Sequence, residues 1–224
     1  SYQRRLTIVE GLRSADIVAI INDLPHLTGA IETIPDEGSL RPETYFYTYA
    51  TPRDDLIDRM QQTQQIALAE AWIDRAKDLP YDTPQNALIM ASIIEKEASV
   101  NADRRLVAAV LVNRLKRGMR LQSDPTVLYD AAASPQSPIP ITKTHLKTKT
   151  PWNTYVIKGL PKTPICNPGD ESLMAALNPA DSDYLYFVSD GKGGLRFAKT
   201  LDVHNRNVRL FRKFEAAAKK DKAQ

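Results

Sequence analysis

The sequence predicts an α+β domain: a mainly helical core with one small β-hairpin, preceded by a short strand–helix piece. Three observations carry this. Residues 51–118 repeat apolar side chains at helical spacing over several long stretches. Thr51-Pro52 and Thr83-Pro84 each set a capping hydroxyl just ahead of a proline, the chemistry of a helix start. Near the end, Tyr184-Leu185-Tyr186-Phe187-Val188 leads through the turn Asp190-Gly191-Lys192-Gly193-Gly194 into Leu195-Arg196-Phe197-Ala198, which reads as strand, turn and return strand.

Taken in order, residues 5–10 alternate with β-branched side chains and read as a strand, which Gly11 ends. Ser14 caps a helix carrying Ile17, Val18, Ile20, Ile21 and Leu24, closed by Pro25. Such a pair cannot bury its own faces. It packs on the main body, or its other half lies upstream. Residues 28–51 are turn-rich, with the aromatic run Tyr45-Phe46-Tyr47 as a strand or clamp. A long helix follows, with Thr51 as cap, Pro52 at its first position and Asp54 and Asp55 favouring its dipole, to about Asp78. Thr83 and Pro84 open the central helix. Asn101 and Asp103 start the next, and Gly118 stops it. Asp124 and Pro125 begin a short one. Residues 133–168 hold 7 of the chain's 15 prolines and read as a long irregular segment, a kind that is usually functional or disordered. Trp152, Tyr155 and Ile157 argue for order there. Asn167-Pro168 opens a further helix, and Thr200 or Asp202 starts the last.

Composition narrows the function classes. With 224 residues, 42% hydrophobic and 25% charged, the chain can bury one substantial core. The formal net charge of +3 does not argue for nucleic acid, and the basic segment lacks interleaved stacking aromatics. That segment, residues 131–169, has no Asp or Glu but carries Lys143, Lys147, Lys149, Lys158 and Lys162. It reads either as a solvated loop or as a lip for an anionic substrate. The single Cys166 excludes an internal disulfide and reads as a small apolar residue. Three histidines without ligand spacing argue against zinc, and no metal or cofactor is expected. No stretch approaches the ~18 apolar residues of a membrane span. The chain starts at Ser1 rather than Met, so it is open to being a fragment of a longer, anchored protein.

The central helix, residues 86–98, is an apolar run that ends in Glu95 and Glu97. Carboxylates there are costly unless used or paired. Turning by about 100° per residue, the two point roughly 200° apart, so they do not form a facing glycosidase pair. Glu95 shares a face with Leu88, Ala91, Ser92 and Ser99, whose small side chains leave room for a ligand. A carboxylic acid in such a wall has a raised pKa and suits general-acid cleavage of an acetal. Glu97 sits above Ile93 and Ile94, within reach of Arg104 or Arg105, and takes a supporting role. Periodicity alone does not separate Glu95 from an ordinary surface glutamate at a helix end.

Several ordered blocks resemble one family. Ala91-Ser92-Ile93-Ile94-Glu95-Lys96-Glu97 is similar to the catalytic-helix motif of the YceG-like endolytic murein transglycosylases. So are Pro35-Asp36-Glu37-Gly38, Asn113-Arg114-Leu115, Gly118-Met119-Arg120-Leu121-Gln122-Ser123-Asp124-Pro125-Thr126-Val127, Asn153-Thr154-Tyr155, Pro164-Ile165-Cys166-Asn167-Pro168-Gly169 and His204-Asn205. Leu195-Arg196 departs from the family's frequent His after the hairpin glycines. The resemblance implies a lysozyme-like catalytic core over residues 28–224, with residues 1–27 as the C-terminal part of a LysM-like module. It implies a lyase that cuts the MurNAc–GlcNAc β-1,4 bond within peptidoglycan strands and leaves 1,6-anhydroMurNAc ends. Glu95 would be acid then base, and the muramyl C6 hydroxyl would replace a second carboxylate. Glu97, Gln122, Ser123, Asp124, Asn153, Tyr155 and Asn167 would contact substrate. Asp124 is equally readable as a helix cap, and Asn153, Tyr155 and Asn167 as residues that fix the loop. The implied partners are glycan strands and peptidoglycan synthases, at the periplasmic face of the inner membrane, through an anchor outside this chain. A non-catalytic peptidoglycan-binding or scaffold domain is the alternative.

Overall fold

The computed structural model describes residues 2–98, 100–131 and 139–221, without the side chains of the last three. Ser99, and residues 133–138 of the proline-rich segment, lie outside it. The chain is of α+β type. In order it forms β1 (Arg4–Thr7), α1 (Ser14–Asp23), β2 (Thr44–Tyr47), α2 (Arg53–Ile73), α3 (Pro84–Glu97), α4 (Asn101–Lys116), α5 (Asp124–Ala131), α6 (Lys143–Lys147), α7 (Asp170–Leu177), β3 (Tyr186–Ser189), β4 (Leu195–Ala198) and α8 (Leu201–Asp221).

Two antiparallel pairs make up the described sheets. β1 pairs with β2, setting Leu6 opposite Tyr45, and β3 pairs with β4, setting Phe187 opposite Phe197. The first strand therefore finds its partner downstream in the same chain. Leu6, Tyr45 and Tyr47 turn inward from this pair onto Ile17 and Ile21 of α1 and Leu56 and Met60 of α2, forming the smaller core. That core draws on residues on both sides of position 27.

The larger core surrounds α3. Every residue from Ala87 to Ile94 is buried, so this helix is apolar on all sides, as a central element must be. Burying side chains such as Met90, Ile93 and Ile94 contributes about 1.5–3 kcal/mol each. α3 packs on α2, α4, α5 and α7, and α8 lies over the β3–β4 hairpin. Thr83 caps α3 by accepting from Asn86 N at 3.2 Å, with Pro84 at its first position. α2 begins one residue later than its sequence suggests, because Thr51 Oγ1 accepts from Thr48 N at 3.2 Å in the preceding turn. α2 also ends at Ile73 rather than near Asp78, where the chain leaves to donate from Ala76 N to Leu177 O at 2.9 Å. The proline-rich segment contains the short α6, capped by Thr142.

Candidate active site

Glu97 is the last residue of α3, and it opens onto a cavity of about 270 Å³. Leu111 and Arg114 from α4, Leu121 and Gln122 from the loop after it, Asp124 from α5, Tyr155 from the proline-rich segment, Phe187 from β3 and His204 from α8 complete the wall. Elements far apart in sequence thus meet at one carboxyl group.

Ser123 Oγ donates to Glu97 Oε1 at 2.7 Å. The loop is fixed behind it: Ser123 N donates to Thr154 Oγ1 at 3.0 Å, and Gln122 N to Thr154 O at 3.1 Å. Gln122 adopts a left-handed backbone with φ 51°, uncommon for a residue with a Cβ and here located at the cavity wall. Protein surrounds most of the Glu97 carboxyl, and this burial pushes its pKa up to about 7. Asp124 adds to the rise, while the Ser123 hydrogen bond and the Arg114 charge oppose it. Near neutral pH this carboxyl therefore exchanges readily between its acid and base forms, as a general acid–base group must.

The neighbours are held by their own bonds. Tyr155 Oη donates to Asp124 Oδ1 at 2.6 Å, and burial together with that carboxylate keeps the phenol protonated. Arg114 is anchored by backbone carbonyls, donating from Nε to Leu185 O at 2.7 Å and from Nη1 to Leu121 O at 2.8 Å. Its guanidinium carbon lies 5.2 Å from the centre of the Tyr186 ring.

Glu95 occupies a different environment. Arg104 Nη2 donates to Glu95 Oε1 at 2.9 Å, and Gly169 N, at the head of α7, donates to Oε2 at 3.0 Å. Arg104 Nε also donates to Ser172 Oγ at 2.9 Å. The sequence reading sets Glu95 beside an open cleft and gives Glu97 the arginine; the fold reverses both. Ala91 and Ser92 are fully buried because the segment 165–169 covers them. Ser92 Oγ accepts from Ile165 N at 3.0 Å, and Cys166 Sγ donates to Ser92 O at 3.4 Å. Burial pushes the Cys166 thiol well up, so it stays a small interior group.

Of the other residues singled out from sequence, Gln122, Asp124 and Tyr155 line the Glu97 cavity and Ser123 touches Glu97. Asn153 and Asn167 do not line it. Buried Asn153 donates to His145 O at 3.0 Å and Thr148 O at 2.7 Å, shaping the proline-rich segment. Fully buried Asn167 accepts from Leu40 N at 2.9 Å and donates to Leu12 O at 3.0 Å, joining the N-terminal elements to the main core. The five lysines of the basic segment are exposed and none lines the cavity. Arg114 and His204 escaped the sequence reading as site residues. Both lie within motif blocks, yet nothing local to them signals a cavity. Among the described residues no helix is long and apolar enough to cross a membrane.

A family model described as YceG-like matches residues 1–210. The chain belongs to the YceG-like family. It is 40% identical over 173 residues to a Bacillus subtilis (strain 168) protein named endolytic murein transglycosylase, an alignment that covers 77% of this chain and 47% of that protein. A Streptococcus pneumoniae (serotype 2, strain D39) protein of the same name is 34% identical over 176 residues, covering 77% of this chain and 31% of its own length. This YceG-like chain thus spans less than half the length of these curated relatives. A crystal structure of a YceG-like protein from Listeria monocytogenes superposes with a TM-score of 0.71 at 32% identity, covering 90% of this chain and 74% of that one.

Proposed function

We propose that this chain carries the catalytic part of a peptidoglycan lytic transglycosylase, with Glu97, and not Glu95, as its acid and base. The observation that carries the reading is the Glu97 carboxyl at a cavity wall, with a pKa near 7 and one hydrogen bond from Ser123. The relatives' name supplies the reaction class.

In this reading a glycan strand lies across the cavity with a MurNAc–GlcNAc β-1,4 bond at Glu97. Protonated Glu97 gives its proton to the linking oxygen, and the C1–O4 bond breaks with the electron pair leaving on the GlcNAc oxygen. The resulting carboxylate takes the proton of the muramyl C6 hydroxyl, whose oxygen bonds to C1. The products are a 1,6-anhydroMurNAc end and a free GlcNAc end, and no water is consumed. The internal nucleophile removes the need for a second carboxylate. Arg114 and the Tyr155–Asp124 pair border the sugar site, while Glu95 braces α3 against α7. A catalytic acid ending a buried helix is the lysozyme-like feature of the core, and the β1–α1 piece is the LysM-like one. The substrate makes this an extracytoplasmic enzyme, working beside peptidoglycan synthases through an anchor outside the chain.

Digestion of purified sacculi, read by mass spectrometry, tests this. Wild type and Glu95→Gln should release anhydro ends below their melting temperatures, and Glu97→Gln should release none. Undiminished release by Glu97→Gln would favour Glu95 as the acid and base, and no release by the wild type would favour a non-catalytic glycan-binding domain. Asp124 on the same wall supports a second reading, hydrolysis with an Asp124-activated water. That reaction leaves reducing ends instead.

A further inference from the structure

His204 lines the same cavity as Glu97, and no step above uses it. It lies in the first turns of α8, where its backbone N–H donates to Thr200 O at 3.0 Å. Its ring stacks on Tyr186 with centroids 5.1 Å apart and planes 24° from parallel. Tyr186 also receives the Arg114 guanidinium, itself pinned by carbonyls. The imidazole is therefore held in orientation by a layered contact that begins at α4.

The state of its two nitrogens follows from their surroundings. Nδ1 is enclosed and has no hydrogen-bond partner among the described residues. An orphaned buried N–H is rarer than an under-used acceptor, so the ring proton belongs on Nε2. Burial, with the Arg114 charge adding to it, holds the ring below the usual histidine pKa. The ring is thus uncharged near neutrality, with one donor left to face the cavity.

We propose that His204 contacts the substrate, its Nε2–H donating a hydrogen bond to an acceptor oxygen of the N-acetylated sugar bound beside Glu97. This rests on reading the Glu97 cavity as the glycan site. The amide carbonyl and ring hydroxyls of such a sugar supply acceptors of the right kind.

Two variants and one spectroscopic measurement test it. His204→Phe keeps a ring on Tyr186 but has no donor, and His204→Gln restores a donor without the ring. On purified glycan strands, His204→Phe should lower kcat/KM about tenfold or more, with an unchanged melting temperature, and His204→Gln should recover part of the loss. Wild-type kcat/KM in His204→Phe overturns the proposal. Nitrogen-15 NMR keeps it testable if the variants fail to fold. The free protein should show the Nε2–H tautomer. Saturating the Glu97→Gln protein with a GlcNAc–MurNAc tetrasaccharide should move the Nε2 resonance. An Nδ1–H tautomer, or an Nε2 signal unmoved at saturation, overturns it. If Glu97→Gln is inactive while His204→Phe runs at the wild-type rate, only the role of His204 falls. If Glu97→Gln remains active, the reading of the cavity falls, and this proposal with it.

Discussion

Arg104 Nη2 lies 2.9 Å from Glu95 Oε1, and both side chains are more than nine-tenths buried. This ion pair ties α4 to the end of α3. Through Gly169 N and Ser172 Oγ it also ties both helices to the start of α7. A carboxylate committed in this way is a girder. Among the described residues, the neighbouring Glu97, two residues on, accepts one hydrogen bond, from Ser123, and faces the cavity.

Replacing Glu95 by Ala leaves Arg104 charged and without its main partner. Loss of about 3 kcal/mol of stability is expected, since breaking a buried pair strands its other half. In a chain of this size that lowers the melting temperature by roughly 6–12 °C in a thermal scan. Glu95→Gln should melt early as well, yet keep activity within a few-fold of wild type at low temperature.

Glu97 governs a pH dependence of stability. Its folded pKa, near 7, is above the unfolded value, so the folded state holds the proton more tightly. The folded protein is favoured at low pH, and stability falls as pH rises from about 4.5 to 7. Allowing for its partial exposure, the loss amounts to about 2 kcal/mol. Glu97→Gln removes it, so denaturant melts of the variant and wild type should diverge as pH rises from about 4.5 to 7, with the variant the more stable above that range.

The rate profile should move with the neighbours of Glu97. In the proposed mechanism the first step needs the protonated acid, so kcat/KM should fall above a pH of about 7. Ser123→Ala removes a hydrogen bond that favours the carboxylate, so this descending limb should shift to higher pH. Asp124→Asn removes a repelling charge, so the limb should shift to lower pH. Profiles that superpose on wild type would argue that another group titrates.

Asn167→Ala strips the joint between the N-terminal elements and the main core. Leu40 N loses its acceptor in a buried setting, at a cost of about 1–3 kcal/mol, and the bond to Leu12 O is lost as well. Hydrogen exchange should quicken first in the β1–β2 pair and α1, before α3 is affected. Uniform protection across the chain would contradict this.

Much of the fold was legible in the sequence, because its signals are local. Thr83 and Pro84 start α3, the glycine-rich 190–194 turn joins β3 to β4, and the alternation near residue 5 marks β1. Each rests on chain chemistry within a few residues. Among the site residues, Gln122, Ser123, Asp124 and Tyr155 were legible through their motif blocks. The Asn153 and Asn167 blocks were equally visible, but these side chains are spent on fixing loops and joining cores.

From the sequence alone it follows that an apolar helix ends in two carboxylates about 200° apart, and both lie in a run that resembles a catalytic-helix motif. That Glu97 lines the cavity follows from how the remote elements pack. Small residues such as Ala91 and Ser92 leave room beside a helix, but that room serves a packed segment as readily as a ligand. Residues 165–169 and α7 fill it here, and they bring Gly169 N to Glu95. The open side is set by α5, the proline-rich segment, β3 and α8, all of them remote in sequence from α3. A helix's periodicity records the angles between its side chains; which side is covered depends on where the rest of the chain packs.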